Sequence, residues 1–477
     1  MPHLPQLADC AAQLAAACLR RSALMYHLAY HLVAYHLACV ALAACALIAL
    51  PAVAAAQAPH APPPPGGAAP GQHEGKLEGK LAEGKPPLVA GMIIKLPEGK
   101  PVTFEEMIRD LRHVRVVYLG ETHDNMADHE GQLAVIKALQ AEGRSVAIGM
   151  EMFQRPYQGV LDDWVAGKLD EKQLLNQTEW YDRWSMDFSY YQPILVHARE
   201  AGKKLLALNA PEELVHEVGR NGLSGLSPEQ RAKLPNIYLG RAEHRHYIEH
   251  IYQAQAGVGH HQNNFEHFYE AQRVWDETMA QSVAMYVVQP GAAQIVAVIA
   301  GNGHVEYGLG MPGDVVGRVG APYRIISFQE EGHVTWEPGP GPPTPLFDYG
   351  HPLANYVWIT TESKEQDKPK LGIGVGKPPE GQTGVAVEDV MEGSPAAKAN
   401  LKAGDVIVAF DSEAVGSLAD LRYALSHKQF GDKVRIEVVR GGKKESATVT
   451  LSPLPKERPA MKMKKGHPPV GAAPSGR

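Results

Sequence analysis

The chain has 477 residues, which is long enough for two or more domains. Its apolar content of 44% and charged content of 21% are ordinary for a soluble protein. The formal net charge of −7 gives no reason to expect nucleic acid as a partner. Cys10, Cys18, Cys39 and Cys45 are the only cysteines, so a disulfide framework and a cysteine nucleophile are excluded beyond residue 45.

Residues 1–56 are predicted to be an export signal. Arg20 and Arg21 precede an uncharged stretch from 37 to 56, and Ala54–Ala56 suits cleavage after small residues. Two alternatives are a lipoprotein leader, in which Cys45 of Leu-Ala-Ala-Cys carries lipid, and an uncleaved membrane anchor. All three place the body of the protein outside the cytoplasm, in the periplasm or anchored in the cell envelope. Residues 57–87, rich in Pro, Gly and Lys, are predicted to be a disordered linker.

Residues 88–337 are predicted to form the first domain, organised around three strand ends. An apolar run from Val116 ends in Gly120-Glu121-Thr122-His123. A second run from 145 ends at Glu151, and a third from 294 ends at His304. Strands that alternate with helical patterns predict an α/β fold with a mostly parallel sheet covered by helices. In such a sheet the four polar residues converge at one edge, where ligands bind.

Two carboxylates and two imidazoles in one cleft suit either a divalent metal (Mn, Co or Zn) or acid–base chemistry. The plainer alternative is that each polar residue only caps a strand or a helix. Nearby, the aromatic stretch from Trp180 to Pro193 is interpreted first as core and second as the wall of a flat-ligand pocket. In the histidine-rich helical segment 241–279, His246 and His250 lie four residues apart on one helix face and could bind a metal.

The remainder of the chain is predicted to hold a second, smaller domain. Residues 338–366 form a Pro/Gly-rich linker, and the pattern then changes to short strands, turns and one or two helices over 367–453. Residues 454–477 are predicted to be a disordered basic tail.

The first domain resembles the ChaN-type haem-binding lipoprotein family. Motifs that carry the resemblance occur in order over about 115–312: Leu119–Asn125, Glu151–Arg155, Trp184–Pro193, Ala207–Pro211, Ala271-Gln272 with Trp275–Ala280, and Ala300–Val305. The resemblance implies an exported protein that binds haem through a tyrosine, with haem pairs held between two subunits of a homodimer. It leaves Tyr191, Tyr269 and Tyr307 as alternative ligands, with Glu121, His123, Glu151 and His304 near the cofactor. Asp128-His129 stands where a His-His pair is usual in that family.

The same strand ends resemble the wider superfamily that includes Tiki-type metalloproteases and erythromycin esterases. That resemblance implies a metal-dependent hydrolase, a peptidase or an esterase, as the alternative function. Glu121, His123, Glu151 and His304 would then hold the metal or activate water.

The second domain resembles a bacterial HtrA-type PDZ domain, a small α+β or β fold. The resemblance rests on Leu371–Val375, Val387–Val390, Gly393–Ala396, Leu401–Ile407 and Val434–Val439. It implies that an extended or C-terminal peptide adds as a strand, with Leu371, Gly372, Ile373, Gly374 and Val375 at the peptide. Together the two domains predict an exported haem-binding protein that takes up, stores or delivers haem and docks peptides. A further alternative is an envelope scaffold that acts through the PDZ domain.

Overall fold

The structure is a computed structural model, and it describes residues 85–184, 186–256, 264–337, 343–363 and 368–455. The predicted leader, most of the first linker, most of the basic tail, and His260 and His261 lie outside the described residues. Within those residues, no helix is long and apolar enough to span a bilayer.

The helices, in chain order, are α1 Phe104–Leu111, α2 Met126–Ala141, α3 Gln158–Val165, α4 Glu171–Gln177, α5 Trp180–Arg183, α6 Gln192–Glu200, α7 Glu212–Asn221, α8 Pro228–Arg231, α9 Ala242–Ala256, α10 Phe265–Val287, α11 Asn302–Val305, α12 Met311–Val319, α13 Pro395–Lys398 and α14 Leu418–Ser426. The strands are β1 Ile93–Lys95, β2 Lys100–Val102, β3 Val116–Glu121, β4 Val146–Gln154, β5 Leu205–Asn209, β6 Ile295–Gly301, β7 Tyr323–Glu330, β8 Val334–Thr335, β9 Thr344–Pro345, β10 Phe347–Asp348, β11 His351–Pro352, β12 Tyr356–Thr360, β13 Ile373–Gly376, β14 Val385–Val390, β15 Val406–Phe410, β16 Glu413–Ala414, β17 Lys433–Arg440 and β18 Lys443–Thr450.

The first domain is built on an eight-stranded sheet in the order β2-β1-β12-β7-β3-β6-β4-β5. All pairs from β12 to β5 are parallel, whereas β1 pairs antiparallel with both β12 and β2. Every residue of β3, β4 and β6 is buried. Strands covered on both faces are continuous apolar runs rather than alternating ones. The predicted α/β fold with a mostly parallel, helix-covered sheet is therefore confirmed.

The segment 338–366, predicted to be a linker, contributes a strand to this sheet. Its strand β12 pairs in parallel with β7, with Tyr356 beside Ile326 and Thr360 beside Glu330. Tyr356, Val357 and Ile359 are almost fully buried. The prediction of a continuous linker was wrong because the Pro/Gly run up to 343 dominated the composition of the segment. The short strand that follows is rich in β-branched residues, and its side chains are buried only when it pairs with the main sheet.

The second domain, from about 370, has its own sheet and its own apolar core. The sheet order is β13-β14-β15-β17-β18, with all pairs antiparallel and β16 paired to β15. Leu371, Ile407, Leu421, Ile436 and Val449 are among the buried core side chains. Strand β13 is an edge strand, and its free side lies open to an added strand. The predicted small strand-rich domain is confirmed.

Helix α14 touches both domains because it presents two different faces. Leu418, Leu421 and Leu425, spaced three and four residues apart, pack on the core of the second domain. Ala419 and Tyr423, which are four residues apart on another face of the helix, pack on the core of the first domain. The second domain therefore contacts the first through the outer face of α14.

Candidate functional site

The parallel order β3-β6-β4 brings three strand ends to one edge of the main sheet. Glu121 ends β3 opposite Gly301, the last residue of β6. Glu151 follows Met150 of β4, which lies opposite Ile299 of the same central strand. The structure brings together the four polar residues predicted to meet here, with Tyr191 and Asp276 beside them. We call this set the strand-end cluster: Glu121, His123, Glu151, Tyr191, Asp276 and His304.

One half of the strand-end cluster is built around the carboxylate of Glu121, which is 2% exposed. Its Oε1 accepts hydrogen bonds from the Tyr191 hydroxyl at 2.7 Å and from Nδ1 of His123 at 2.8 Å. Its Oε2 accepts one from Nε2 of Gln132 at 2.7 Å and lies 3.4 Å from Nδ1 of His129. Burial alone would raise the pKa of Glu121, but the charge of His129 and the bond from His123 hold the pKa below its usual value.

The other half is built around Glu151 and Asp276, which share His304. Nε2 of His304 lies 3.3 Å from Glu151, and its Nδ1 bonds to Asp276 at 2.8 Å. The backbone N–H of Gly301 also donates to Glu151, at 2.7 Å. Burial would raise the pKa of Glu151, yet the charge and hydrogen bond of His304 lower it to about 2. The two carboxylates in turn raise the pKa of His304 well above its usual value, against the opposing effect of burial.

The two halves meet at Gly301 because this residue has no side chain. A Cβ built there would lie 2.9 Å from Cε1 and 3.0 Å from Nε2 of His123. Glycine therefore lets the imidazole of His123 approach the end of β6 and the charge of Glu151. Burial would lower the pKa of His123, but its bond to Glu121 and the charge of Glu151 raise it.

Asp128 and His129, which depart from the usual His-His pair, have separate structural roles. The Asp128 carboxylate accepts the Thr122 N–H at 2.9 Å and the Thr360 hydroxyl at 2.9 Å. It thus ties the turn after β3 to the end of β12. Its pKa is raised to about 7, chiefly by burial. His129 instead lies against Glu121 and the ring of Tyr191.

The cluster is buried at its carboxylates and partly open at its imidazoles. The side chains of His123 and His304 are 12% and 14% exposed, whereas those of Glu121 and Asp276 are at most 1% exposed. In each half an imidazole is therefore backed by a carboxylate, an arrangement that can store or move a proton. Among the described residues, no group of three or more His, Cys, Asp or Glu side chains is arranged to hold a metal ion.

Two of the three candidate tyrosines lie away from the strand-end cluster. The hydroxyl of Tyr269 donates to the carbonyl of Leu239 at 3.3 Å, and that of Tyr307 donates to the carbonyl of Pro345 at 3.0 Å. The third, Tyr191, is fully buried against Glu121. All three phenols are therefore enclosed and hydrogen-bonded within the protein.

Asp276 of the strand-end cluster, and Gln132, which donates to Glu121, were not among the residues predicted from the sequence. Asp276 lies on α10, three residues after Arg273, and both are almost fully buried. Charged residues at buried positions of a helix are rare unless they are paired. The signal was available in the sequence, since Arg273, Asp276 and Glu277 recur at helical spacing among apolar residues.

In the second domain, the residues predicted to meet a peptide lie at the start of the free edge strand β13. Gly372 has φ of 73°, and a Cβ there would lie 2.4 Å from the Cβ of Ser394. The tight turn therefore requires glycine. Leu371 is buried in the core, while Ile373 and Val375 are half-buried beside the groove that α14 closes on the other side.

The fold and these sites define a two-domain chain, in which a parallel sheet with a buried polar cluster is joined to a small antiparallel domain with a free edge strand. Residues 107–315 match the family model described as haem-binding uptake, Tiki superfamily, ChaN, and residues 364–451 match the model of the PDZ domain. The chain therefore carries a domain of the ChaN family within the Tiki superfamily, followed by a PDZ domain.

Several known proteins are similar to parts of the chain. A probable periplasmic serine endoprotease DegP-like of Pseudomonas savastanoi pv. phaseolicola is 35% identical over 101 residues, 21% of this chain and 20% of that protein. The chloroplastic protein RETICULATA-RELATED 5 of Arabidopsis thaliana is 24% identical over 212 residues, 42% of this chain and 28% of that protein. The chain thus spans less than a third of the length of these curated relatives.

Among solved structures, the chain is similar to that described as cofacial heme binding to ChaN of Campylobacter jejuni. The sequence identity is 18%, the TM-score is 0.43, and the match covers 56% of this chain and 95% of the other.

Proposed function

We propose that this protein binds haem through its first domain and docks a peptide through its PDZ domain. The observation that carries the proposal is the match of residues 107–315 to a haem-binding uptake family, joined in one chain to a PDZ domain. Export to the cell envelope, and a role in haem uptake, storage or delivery, are part of this proposal. They rest on the predicted leader and on the absence of cysteine after residue 45.

The family resemblance implies a tyrosine as the iron ligand, and a flat cofactor must then be able to reach its phenol oxygen. Tyr191, Tyr269 and Tyr307 do not fit, since their phenols are enclosed and hydrogen-bonded. Tyr238 fits: it is 57% exposed, the one exposed tyrosine in the described part of the chain. Its neighbour Leu239 is 38% exposed and offers apolar surface. We infer that Tyr238 ligates haem iron at the loop before α9.

The backbone around Tyr238 is firmly held, which would fix the ligand in place. Its carbonyl accepts a hydrogen bond from the buried Arg273 at 2.9 Å, and its N–H donates to Glu277 at 3.2 Å. Arg273 also pairs with Asp314, and Arg241 of the same loop pairs with Asp314 at 2.9 Å. When bound, haem would supply the iron, and this loop would supply one oxygen ligand and an apolar surface.

A spectroscopic haem titration of the full chain tests the proposal. We expect a saturable Soret change near one haem per chain, lost or strongly weakened by Tyr238→Phe. Tyr349→Phe is the matched control, since that phenol is only partly exposed and lies 2.5 Å from Nδ1 of His250. Absence of saturable binding would contradict the haem function, and loss of binding in both variants would contradict the choice of Tyr238. Light scattering with and without haem tests the haem-linked homodimer.

The metal-dependent hydrolase remains the second proposal, favoured by the two partly exposed imidazoles, each backed by a carboxylate. In the described structure those carboxylates are already bound by His123 and His304, so a metal would have to displace at least one of these contacts. Metal analysis of the sample used for haem titration separates the two. A stoichiometric divalent metal, lost in Glu121→Gln and in His304→Ala, would favour the hydrolase.

A further inference from the structure

A cleft at one end of the PDZ groove is lined by both domains. It has a volume of about 370 Å³ and lies between the end of β13 and the first residue of α14. Val375, Gly376 and Lys377 line one side, and Ser417 and Leu418 line the other. Asp182, from α5 of the first domain, also lines it. The groove is therefore completed by a residue from outside the PDZ domain.

Asp182 is held at the cleft by contacts that neighbouring residues of the first domain make with the second domain. The neighbouring Tyr181 carbonyl accepts a hydrogen bond from Nη1 of Arg422 on α14 at 2.9 Å. Lys172 pairs with Glu413 at 2.7 Å, and Asn176 donates to Asp420 at 3.2 Å. These contacts span the two domains and hold β16 and α14 against α4 and α5.

The carboxylate of Asp182 is free to bind a ligand. Asp182 is exposed, and among the described residues its side chain makes no hydrogen bond or ion pair. The acidic residues around it are engaged: Glu179 with Arg183, Glu413 with Lys172, and Asp420 with the N-terminus of α14. The cation that lines the same cleft is Lys377, which is exposed and also without a partner among the described residues.

A peptide added to β13 would run antiparallel to it, with its C-terminus at the Leu371–Ile373 turn. Gly376 lies three residues further along the strand, roughly 10 Å away at about 3.3 Å per residue. The side chain near Asp182 would then belong to the fourth residue from the peptide's C-terminus. Resting on the proposed peptide docking, we propose that Asp182 selects a basic side chain, Arg or Lys, at that position. The first domain thereby sets the sequence preference of the PDZ groove.

The test is fluorescence polarisation with the full chain and labelled decapeptides that end in valine and differ only at the fourth residue from the C-terminus. With Arg there, we expect affinity about three- to five-fold higher than with Gln, as for an exposed ion pair. Asp182→Asn should abolish this difference, and Asp182→Lys should reverse it in favour of Glu. Lys377 lines the same cleft and would also act on a charged peptide side chain. Each peptide is therefore compared between the wild type and the variant, so that the contribution of Lys377 is the same in both.

Asp163→Asn is the matched control, since it removes one carboxylate from α3, where Asp163 pairs with Lys168 away from the cleft residues. It should leave the preference for Arg unchanged. Peptide binding that is insensitive both to the fourth residue and to Asp182→Asn would overturn the assignment of Asp182 and leave peptide docking intact. Failure of every peptide to bind would overturn peptide docking and this assignment together.

Discussion

The strand-end cluster and the PDZ groove place carboxylates in opposite surroundings. Glu121 and Glu151 are buried, and each accepts hydrogen bonds or an ion pair from imidazoles and other donors. Asp182 is exposed and without a partner among the described residues. Disturbing a buried polar network lowers the stability of the fold strongly. An exposed charge without a partner stays hydrated, has little effect on stability and remains available for a ligand. The contrast separates polar groups that stabilise the fold from those that can recognise a partner.

The largest effect is expected from removing a carboxylate at the centre of the buried network. Asp276→Ala would remove the carboxylate that His304 shares with Glu151 and that also lies against the buried His244 and Arg273. We expect a loss of about 3–5 kcal/mol in the free energy of unfolding, measured by urea denaturation. The control, Asp163→Ala, breaks an exposed pair and should cost less than about 1 kcal/mol. Similar losses in the two variants would contradict the comparison.

Acid should weaken the buried network in a defined pH window. The folded pKa of Glu151 is about 2, below its usual value of 4.5, so its contribution is fully present above about pH 4.5 and is lost as pH falls towards 2. That contribution is on the order of 3 kcal/mol. Thermal denaturation from pH 6 to pH 3 should show a falling midpoint, with a shallower slope in Glu151→Gln. An unchanged slope would show that Glu151 is not linked to stability in this way.

A smaller effect is expected from filling the space that lets the two halves of the cluster meet. Gly301→Ala places a Cβ within 3.0 Å of the His123 ring, which must move away from Glu121. Overpacking of this kind costs about 1–3 kcal/mol. Gly303→Ala is the control, because a Cβ there meets only Cδ1 of Ile251 at 4.0 Å. Equal stability of the two variants would contradict the close approach at Gly301.

The smallest effect is expected at the contact between the domains. Lys172 and Glu413 form an ion pair whose side chains are 31% and 57% exposed. Lys172→Ala should therefore lower the free energy of unfolding by less than about 1 kcal/mol, as measured by calorimetry. Lys168→Ala, which breaks a pair within the first domain, serves as the control. A loss of several kcal/mol in Lys172→Ala, but not in Lys168→Ala, would contradict this expectation. It would show that the contact stabilises the protein as strongly as the buried network does.

Much of the strand-end cluster could be predicted because parallel strands deliver their C-terminal residues to one edge. The continuous apolar runs before Glu121, Glu151 and His304 indicated buried strands, and the structure places them side by side. Asp276 could not be placed in the same way, since it comes from the middle of a helix. Its position depends on how α10 packs on the sheet, which local spacing does not specify.

Two further features could not be predicted from the sequence: which tyrosine is exposed, and the presence of strand β12 in the predicted linker. A phenol's accessibility depends on which carbonyl or carboxylate lies beside it. The candidates predicted from the sequence therefore included the enclosed Tyr269 and Tyr307 and left out the exposed Tyr238. Strand β12 was missed because composition over a long window averaged five strand residues with a Pro/Gly-rich stretch. Short elements whose partners are distant in sequence carry little local signal.

The position of β12 close to the second domain in the sequence affects how strongly the two domains associate. The last strand of the main sheet in chain order ends at Thr360 and the edge strand β13 begins at Ile373, so about a dozen residues connect the two sheets. Covalent connection of this kind gives the two facing surfaces an effective local concentration in the millimolar range. Exposed contacts as weak as Lys172–Glu413 can then hold the domains together within one chain. The same surfaces on separate molecules would rarely meet.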